Sequence, residues 1–344
     1  IYFHKGSDSI FNNNDYILFY AQGPVKLHYN ESKEKFEHTM NPYSNYGYYF
    51  ITENSTPQKN ITNVEYNLPP IPLNAGHTLN YYYVDKEEEN LINSGRVWIG
   101  DKLTSTNTKR KYDFHIPNRL DNNNVNLNMR TIGVSTVSSS IKIDVNAEKQ
   151  LEIILPGTSD SHQAGYAGTT NSNLKLDSKK DNIEINLDFS SNSKNSVAYI
   201  DYIGINANRK LITDGSEPFL IFYPGDYYPY ITANYTISSN NKNLLFWEIT
   251  DPENISNVTP IKTETGYKIS SPYDMERLFL AFDPSIDYPT ITSYQTIKNQ
   301  DLHSLKDIDV IIISDNKLVN SAEELGKFHK NHDGLSYKVL TVDP

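Results

Sequence analysis

Apolar and polar residues alternate with a period of two through much of this chain. In KYDFHIP, Tyr112, Phe114 and Ile116 take every second place, and SSIKIDV repeats the pattern with Ile141, Ile143 and Val145. Such spacing gives a strand one apolar face. Leu174 and Leu176, a polar SKKDN turn, and then Ile183, Ile185, Leu187 and Phe189 predict a hairpin by the same rule. VAYIDYIGI is apolar at both parities from Val197 to Ile205, the pattern of a strand covered on both faces, with Tyr199 and Tyr202 on opposite sides. There Asp201 should share a face with Tyr199 and accept hydrogen bonds from backbone N–H groups, Arg209 or a tyrosine. PFLIFYP and LLFWEITDP continue the theme.

Before residue 53, the runs IYFHKG, DYILFYAQGP and HTMNPYSNYGYYFIT are bounded by Asn, Gly, Pro and Asp, which predicts strands and turns, with one turn at Asn12 to Asp15. The prolines of ENSTPQKNITNVEYNLPPIPLN do not suit a central strand, so a crossing loop is expected over 53–74. Many short strands without an internal repeat favour a β-sandwich of jelly-roll type.

The pattern changes near Asn299. Asp309 to Ile313 is a continuous β-branched run closed by Ser314 and Asp315, as in a buried parallel strand. Ser321 and Glu324 predict a capping box, Ala322, Leu325 and Phe328 one apolar stripe, Gly334 a helix stop, and Leu335 to Val342 a second strand. This is one βαβ unit, with Ile311 and Ile313 expected in the buried sheet and Leu325 packed on it. The expected organisation is therefore mainly β: an N-terminal β-rich segment at 1–74, a jelly-roll-like β-sandwich domain at 75–298, and an α/β domain that starts at 299 and is cut off after Pro344.

Composition narrows the function. At 344 residues the chain has room for two domains. Its net charge of −11, with lysines scattered among more numerous carboxylates, argues against nucleic acid as a partner. The longest apolar run, around Val310 to Ile313, is far short of the roughly 20 residues that span a bilayer. The chain opens on Ile1 without a basic and apolar leader, so a signal peptide is expected to be absent or removed. With no cysteine there is no disulfide, thiolate metal site or cysteine nucleophile within these residues.

Few motifs carry chemistry. His329 and His332 with Asp333 could share one helix face, but a solvated helix end whose imidazoles complement the dipole is the expectation. His303 stands without a serine or cysteine motif, so a structural hydrogen bond is expected there. The loop from Asp283 to Asp287 lacks the alternating ligand spacing of a calcium site. Tyr227, Tyr228 and Tyr230, like Tyr46, Tyr48 and Tyr49, could stack on sugars, although tyrosine is also an ordinary filler of half-buried sheets. No catalytic, cofactor-binding or metal residue emerges, and no cofactor is expected.

Five blocks carry a resemblance: DYILFYAQGP, NPYSNYGYYFIT, VAYIDYIGINANRKL, FWEITDP and NQDLHSLKDIDVIIIS followed by AEELGKFHKNHDGL. Together and in order they resemble the N-terminal portion of the PorU family, gingipain-like cysteine peptidases that act as sortases in type IX secretion of Bacteroidetes. The resemblance implies that the βαβ unit opens a caspase-like peptidase domain whose catalytic His and Cys lie beyond Pro344, so this chain alone should be inactive. It also implies a cell-surface protein associated with the outer membrane through a PorV-like β-barrel partner. Its substrates would be secreted cargo proteins bearing C-terminal sorting signals, with lipopolysaccharide as acceptor. Asp8-Ser9-Ile10 resembles the O-glycosylation motif of that phylum at Ser9. The alternative from another class is a carbohydrate-binding or adhesive β-sandwich of a secreted bacterial protein.

Overall fold

The computed structural model describes residues 2–4, 12, 15–50, 61–93, 95–121, 125–147, 149–159, 167–176, 180–291, 293–296 and 302–342. Two compact units, 1–286 and 287–344, divide the chain. Ser9 and residues 177–179, which overlap the expected SKKDN turn, lie outside the described residues.

In the first unit the alternating strands close around two cores. One sheet runs in the order Gly168–Leu176, Val125–Val134, Val197–Arg209, Thr78–Asp85, with Gly100–Thr104 also paired to Val197–Arg209. The other runs Lys149–Leu155, Ser139–Val145, Asn182–Ser191, Lys109–His115. Between them the periodic residues meet: Phe114, Ile116, Ile141, Ile143, Ile185 and Leu187 from one sheet side, Leu127, Met129, Ile203 and Ile205 from the other, all nearly inaccessible to water. Burial at this scale contributes about 1.5–3 kcal/mol for each large side chain.

The strands at Gly168–Leu176 and Asn182–Ser191 do not form the expected hairpin. The first pairs with Val125–Val134 and the second with Ser139–Val145 and Lys109–His115, so the two strands belong to different sheets. Alternation states that one face is buried; it does not state which neighbour supplies the hydrogen bonds.

A second sandwich follows. Its sheets run Phe219–Ile221, Phe279–Phe282, Leu245–Glu248, Ser256–Asn257, Thr62–Asn63 and Ile261–Thr263, Gly266–Pro272, Ile231–Ser238, Ile71–Ala75. Phe246, Phe279, Tyr235, Tyr267, Ile221 and Ile237 fill its centre. The stretch expected as a crossing loop thus supplies two strands, and Pro72 is tolerated because Ile71–Ala75 is a sheet edge, parallel to Ile231–Ser238. Where one sandwich was expected over 75–298, two hydrophobic cores stand, the second drawing on residues from before the first.

This unit also holds a hairpin of Val25–Asn30 and Lys35–Met40 and an antiparallel pair of Tyr2–His4 with Tyr16–Leu18. Asn30 caps the hairpin turn Glu31–Lys33 by accepting from Lys33 N at 3.2 Å. Where a turn was expected at Asn12 to Asp15, Asp15 N donates to Asn12 O at 2.9 Å, and residues 13 and 14 lie outside the described residues.

The second unit is the expected βαβ, with Val310–Asp315 parallel to Tyr337–Val342 and the helix Val319–Phe328 between them. Its details differ from the sequence expectation. Ser321 lies inside the helix, whose start has no side-chain cap, so no capping box forms; Asp315 instead caps the preceding turn, accepting from Lys317 N at 2.8 Å. Gly334 stops the helical segment at φ 71°, with its N–H bonded to His329 O. Ile311 and Ile313 are 53% and 69% exposed, and Leu325 is 49% exposed. The helix instead buries Ala322 and Gly326, while Val310, Ile312 and Ser314 form the more covered face of the strand. One helix covers only one side of a two-stranded sheet, so the other parity stays open.

Candidate functional site

The richest polar constellation lies where the β-hairpin docks on the outer face of the first sandwich. Its origin is a β-bulge. Along the pairing of Val125–Val134 with Val197–Arg209, Arg130 stands opposite Tyr202 and Thr131 opposite Ile200, which leaves Asp201 as the extra residue. The bulge reverses parity: Ala198 and Ile200 face the core on one side of it, Ile203 and Ile205 on the other. Tyr199, Asp201 and Tyr202 therefore share the outer side, and the expectation of Tyr199 and Tyr202 on opposite faces fails for this reason.

Asp201 is buried, and it accepts a hydrogen bond from Arg130 Nη1 at 2.8 Å. The expected partner Arg209 is engaged elsewhere, donating to Asn80 Oδ1 at 3.0 Å and to Pro117 O at 2.8 Å. Burial pushes the Asp201 carboxyl up to about 6 despite the Arg130 charge. Beside it, burial and the charges of Asp85 and Asp201 raise Glu87 to about 7. Asp85 Oδ1 is buried without a hydrogen-bond partner among the described residues.

The hairpin answers these groups with its own polar face. His38 places Nε2 2.7 Å from Asp85 Oδ2 and Nδ1 2.9 Å from the Tyr81 hydroxyl, and its ring stacks on Tyr83 with centroids 4.2 Å apart. Lys35 donates to Asn128 Oδ1 at 2.5 Å. Asn206 accepts from Phe36 N at 2.7 Å and donates to Phe36 O at 3.0 Å, so one side-chain amide imitates a strand partner. Phe36 itself is fully buried against Leu79 and Phe222. Burial works to raise Glu37, but hydrogen bonds from Lys33 and Asn30 and the charges of Lys35 and Lys33 outweigh it and hold Glu37 at about 2. A cleft of about 330 Å³ opens between hairpin and sheet, lined among others by His28, Lys35, His38, Asn128, Arg130 and Tyr202. Chemically it offers charged and hydroxyl donors beside aromatic rings.

Of this constellation the sequence pointed to Asp201 and Tyr202 and not to the rest. The signal was present in TLNYYYVD, where Tyr81, Tyr83 and Asp85 share one parity of a strand whose other parity, Tyr82 and Val84, packs on the core. Nothing local ties that parity to His38 or Arg130.

The other candidates are dispersed. His329 and His332 both turn Nδ1 onto Asp333, at 2.8 and 2.7 Å, and these bonds, His332 first, lower the Asp333 carboxyl. Among the described residues no group of three His, Asp or Glu could hold a metal ion. His303 is exposed in a short 3-10 turn and makes no hydrogen bond among the described residues, contrary to expectation. Asp283 is taken up locally by Ser285 N and Oγ at 2.8 and 2.6 Å and by Asn241 Nδ2 at 2.7 Å. Tyr46, Tyr48 and Tyr49 stand exposed outside any strand, while Tyr228 and Tyr230 are exposed with ring centroids 5.6 Å apart. Tyr227 is half-buried against Tyr273. No helix of the described residues is long and apolar enough to cross a membrane.

No protein-family model matches the chain, and no curated protein matches it. Among solved structures, dimeric latent PorU from Porphyromonas gingivalis superposes with a TM-score of 0.75 at 19% identity, over 94% of this chain and 31% of that one. The chain therefore has the fold of that part of PorU and spans about a third of its length. A CBM36-1 domain of a xylanase from the hindgut metagenome of Trinervitermes trinervoides overlaps with a TM-score of 0.27 at 16% identity, covering 37% of this chain and 96% of that domain. A CBM36 module in complex with calcium and xylotriose gives 0.23 at 14% identity, over 37% of this chain and 98% of that one.

Proposed function

We propose that this chain is the non-catalytic β-rich part, with the opening βαβ unit, of a cell-surface sortase of type IX secretion. One observation carries the proposal: the fold of latent PorU extends over 94% of the chain, a larger share than residues 1–286 alone could supply. The five sequence blocks in family order support it independently, since they lie in both units. In this role the two sandwiches form a scaffold for a peptidase that removes C-terminal sorting signals from secreted cargo and joins the cargo to lipopolysaccharide. A PorV-like outer-membrane β-barrel would hold the enzyme at the surface. With no cysteine among its 344 residues, the chain carries no thiol nucleophile of its own.

The test compares this chain with a longer gene product that continues past residue 344. The longer product is expected to cleave a cargo bearing its sorting signal, in a reaction blocked by thiol alkylation, while the chain alone leaves the cargo intact. Thiol-independent cleavage by the chain alone, or a downstream sequence that encodes only further β-modules, contradicts the proposal.

A second function, carbohydrate binding, is favoured by one observation. Tyr228 and Tyr230 expose 41% and 52% of their surface with rings inclined at 34°, a geometry that can receive a pyranose face. Loss of glycan binding in Tyr228→Ala and Tyr230→Ala would favour it; no glycan binding by the intact chain rules it out.

A further inference from the structure

We propose that the cleft between the hairpin and the outer sheet face is a binding site for a small carboxylate-bearing ligand, held by the unused edge of Arg130. The guanidinium spends only Nη1 on Asp201; Nε and Nη2 make no hydrogen bond among the described residues, and Arg130 lines the cleft. A guanidinium fork with two free donors matches the two oxygens of a carboxylate.

The surroundings fit the same ligand. Tyr202 also lines the cleft, and its hydroxyl makes no hydrogen bond among the described residues. Lys35 is almost wholly buried, with Nζ fixed between Asn128 Oδ1 at 2.5 Å and Glu37 Oε1 at 3.4 Å, so its charge is held in place at the cleft wall. His28 adds a half-exposed imidazole. Of the four carboxylates in this constellation, only Glu37 lines the cleft, and it is already matched by Lys33 at 2.9 Å and by Lys35. Asp201 is bound to Arg130, Asp85 is taken by His38, and Glu87, which feels the Arg130 charge, does not line the cleft. In a chain of net charge −11 the cleft walls thus present more cations than anions.

The volume of about 330 Å³ admits one sugar ring or one amino-acid residue. Tyr81 and Tyr202 supply aromatic walls for either. Two sources share this chemistry, an acidic sugar and a peptide C-terminus, and the probes separate them.

The 344-residue chain is titrated calorimetrically at pH 7 with glucuronate, N-acetylalanine and glucose. Binding of one or both carboxylates without glucose is expected. Glucuronate alone identifies an acidic sugar, and N-acetylalanine alone a peptide terminus. Arg130→Gln should weaken binding roughly tenfold or more. Because that change leaves Asp201 unpaired, the uncharged double variant Arg130→Gln with Asp201→Asn is the control for folding: its melting temperature should stay near the parent's while binding is lost. Tyr202→Phe should weaken binding less. Absence of binding by both carboxylates at millimolar concentration, glucose binding as tightly as glucuronate, or full binding in the double variant overturns the proposal.

Discussion

Asp201 is the extra residue of a β-bulge, and Arg130 on the neighbouring strand meets it with a hydrogen bond of 2.8 Å. A bulge re-aims a side chain that regular alternation would send elsewhere. Here it places a carboxylate on the outer face, in reach of a guanidinium on the adjacent strand, under the cover of a hairpin from the start of the chain.

Removing that carboxylate should cost stability. Asp201→Ala leaves Arg130 without its acceptor, although the guanidinium is partly exposed and recovers some hydration. The expected loss is about 1–2 kcal/mol, less than the roughly 3–5 kcal/mol of a fully buried pair because Arg130 is partly exposed. Asp201→Asn, which keeps an acceptor oxygen, should lose less. Chemical denaturation of the two variants checks the order; equal stability of all three proteins would contradict it.

The same cluster makes stability depend on pH. Asp201 and Glu87 have folded-state values raised to about 6 and about 7, so the folded chain binds their protons more tightly than the unfolded chain does. Their contribution is complete below the ordinary carboxylate range and is lost as pH rises through 6 and 7. Glu37, held at about 2, acts in the opposite sense: its contribution is present above the ordinary value and is lost as pH falls toward 2. The melting temperature should therefore be higher at about pH 5.5 than at pH 8, and fall again in strong acid. Glu87→Gln should flatten the upper limb, and an unchanged slope in that variant would assign it to other groups.

Asn206 is expected to hold the hairpin. Its amide makes two hydrogen bonds with the Phe36 backbone in a buried setting, and alanine would leave both backbone groups unsatisfied. Asn206→Ala should cost about 2–3 kcal/mol and raise amide hydrogen exchange over residues 25–40 before the sandwich strands respond. Uniform exchange across the unit would show that the hairpin does not open separately.

In the βαβ unit, Gly326 rather than Ile311 should be the sensitive position. A Cβ on Gly326 would stand 2.2 Å from the Tyr337 ring, which is itself tied to Glu323 by a 3.0 Å hydrogen bond. Alanine favours a helix over glycine by about 1 kcal/mol, but overpacking costs about 1–3 kcal/mol, and at this separation the clash should prevail. Gly326→Ala is expected to destabilise this unit, whereas Ile311→Asp, at a half-exposed position, should change its stability by less than about 1 kcal/mol in this chain. Circular dichroism melts of the two variants test the ranking.

The sequence by itself determined the local grammar. Period-two alternation located Tyr112, Phe114, Ile141, Ile143, Ile185 and Leu187 in a core, because a pleated strand presents every second side chain to the same face. The run from Val197 marked the central strand, because burial on both faces leaves no polar parity, and the change near Asn299 marked the βαβ, although one parity of its strand Val310–Asp315 stays exposed. Pairing was beyond its reach. Whether Leu176 and Ile183 belong to one hairpin or to two facing sheets depends on which strands accept their N–H groups, and both answers bury the same side chains. The bulge at Asp201 was hidden for a related reason, since an inserted residue changes the parity of everything after it without altering composition. Only the tertiary structure brought His38 to Asp85, 47 positions away, and Arg130 to Asp201, 71 positions away. Such contacts are set by sheet order and register, which arise from the packing of the whole unit and leave no trace in any single stretch of chain.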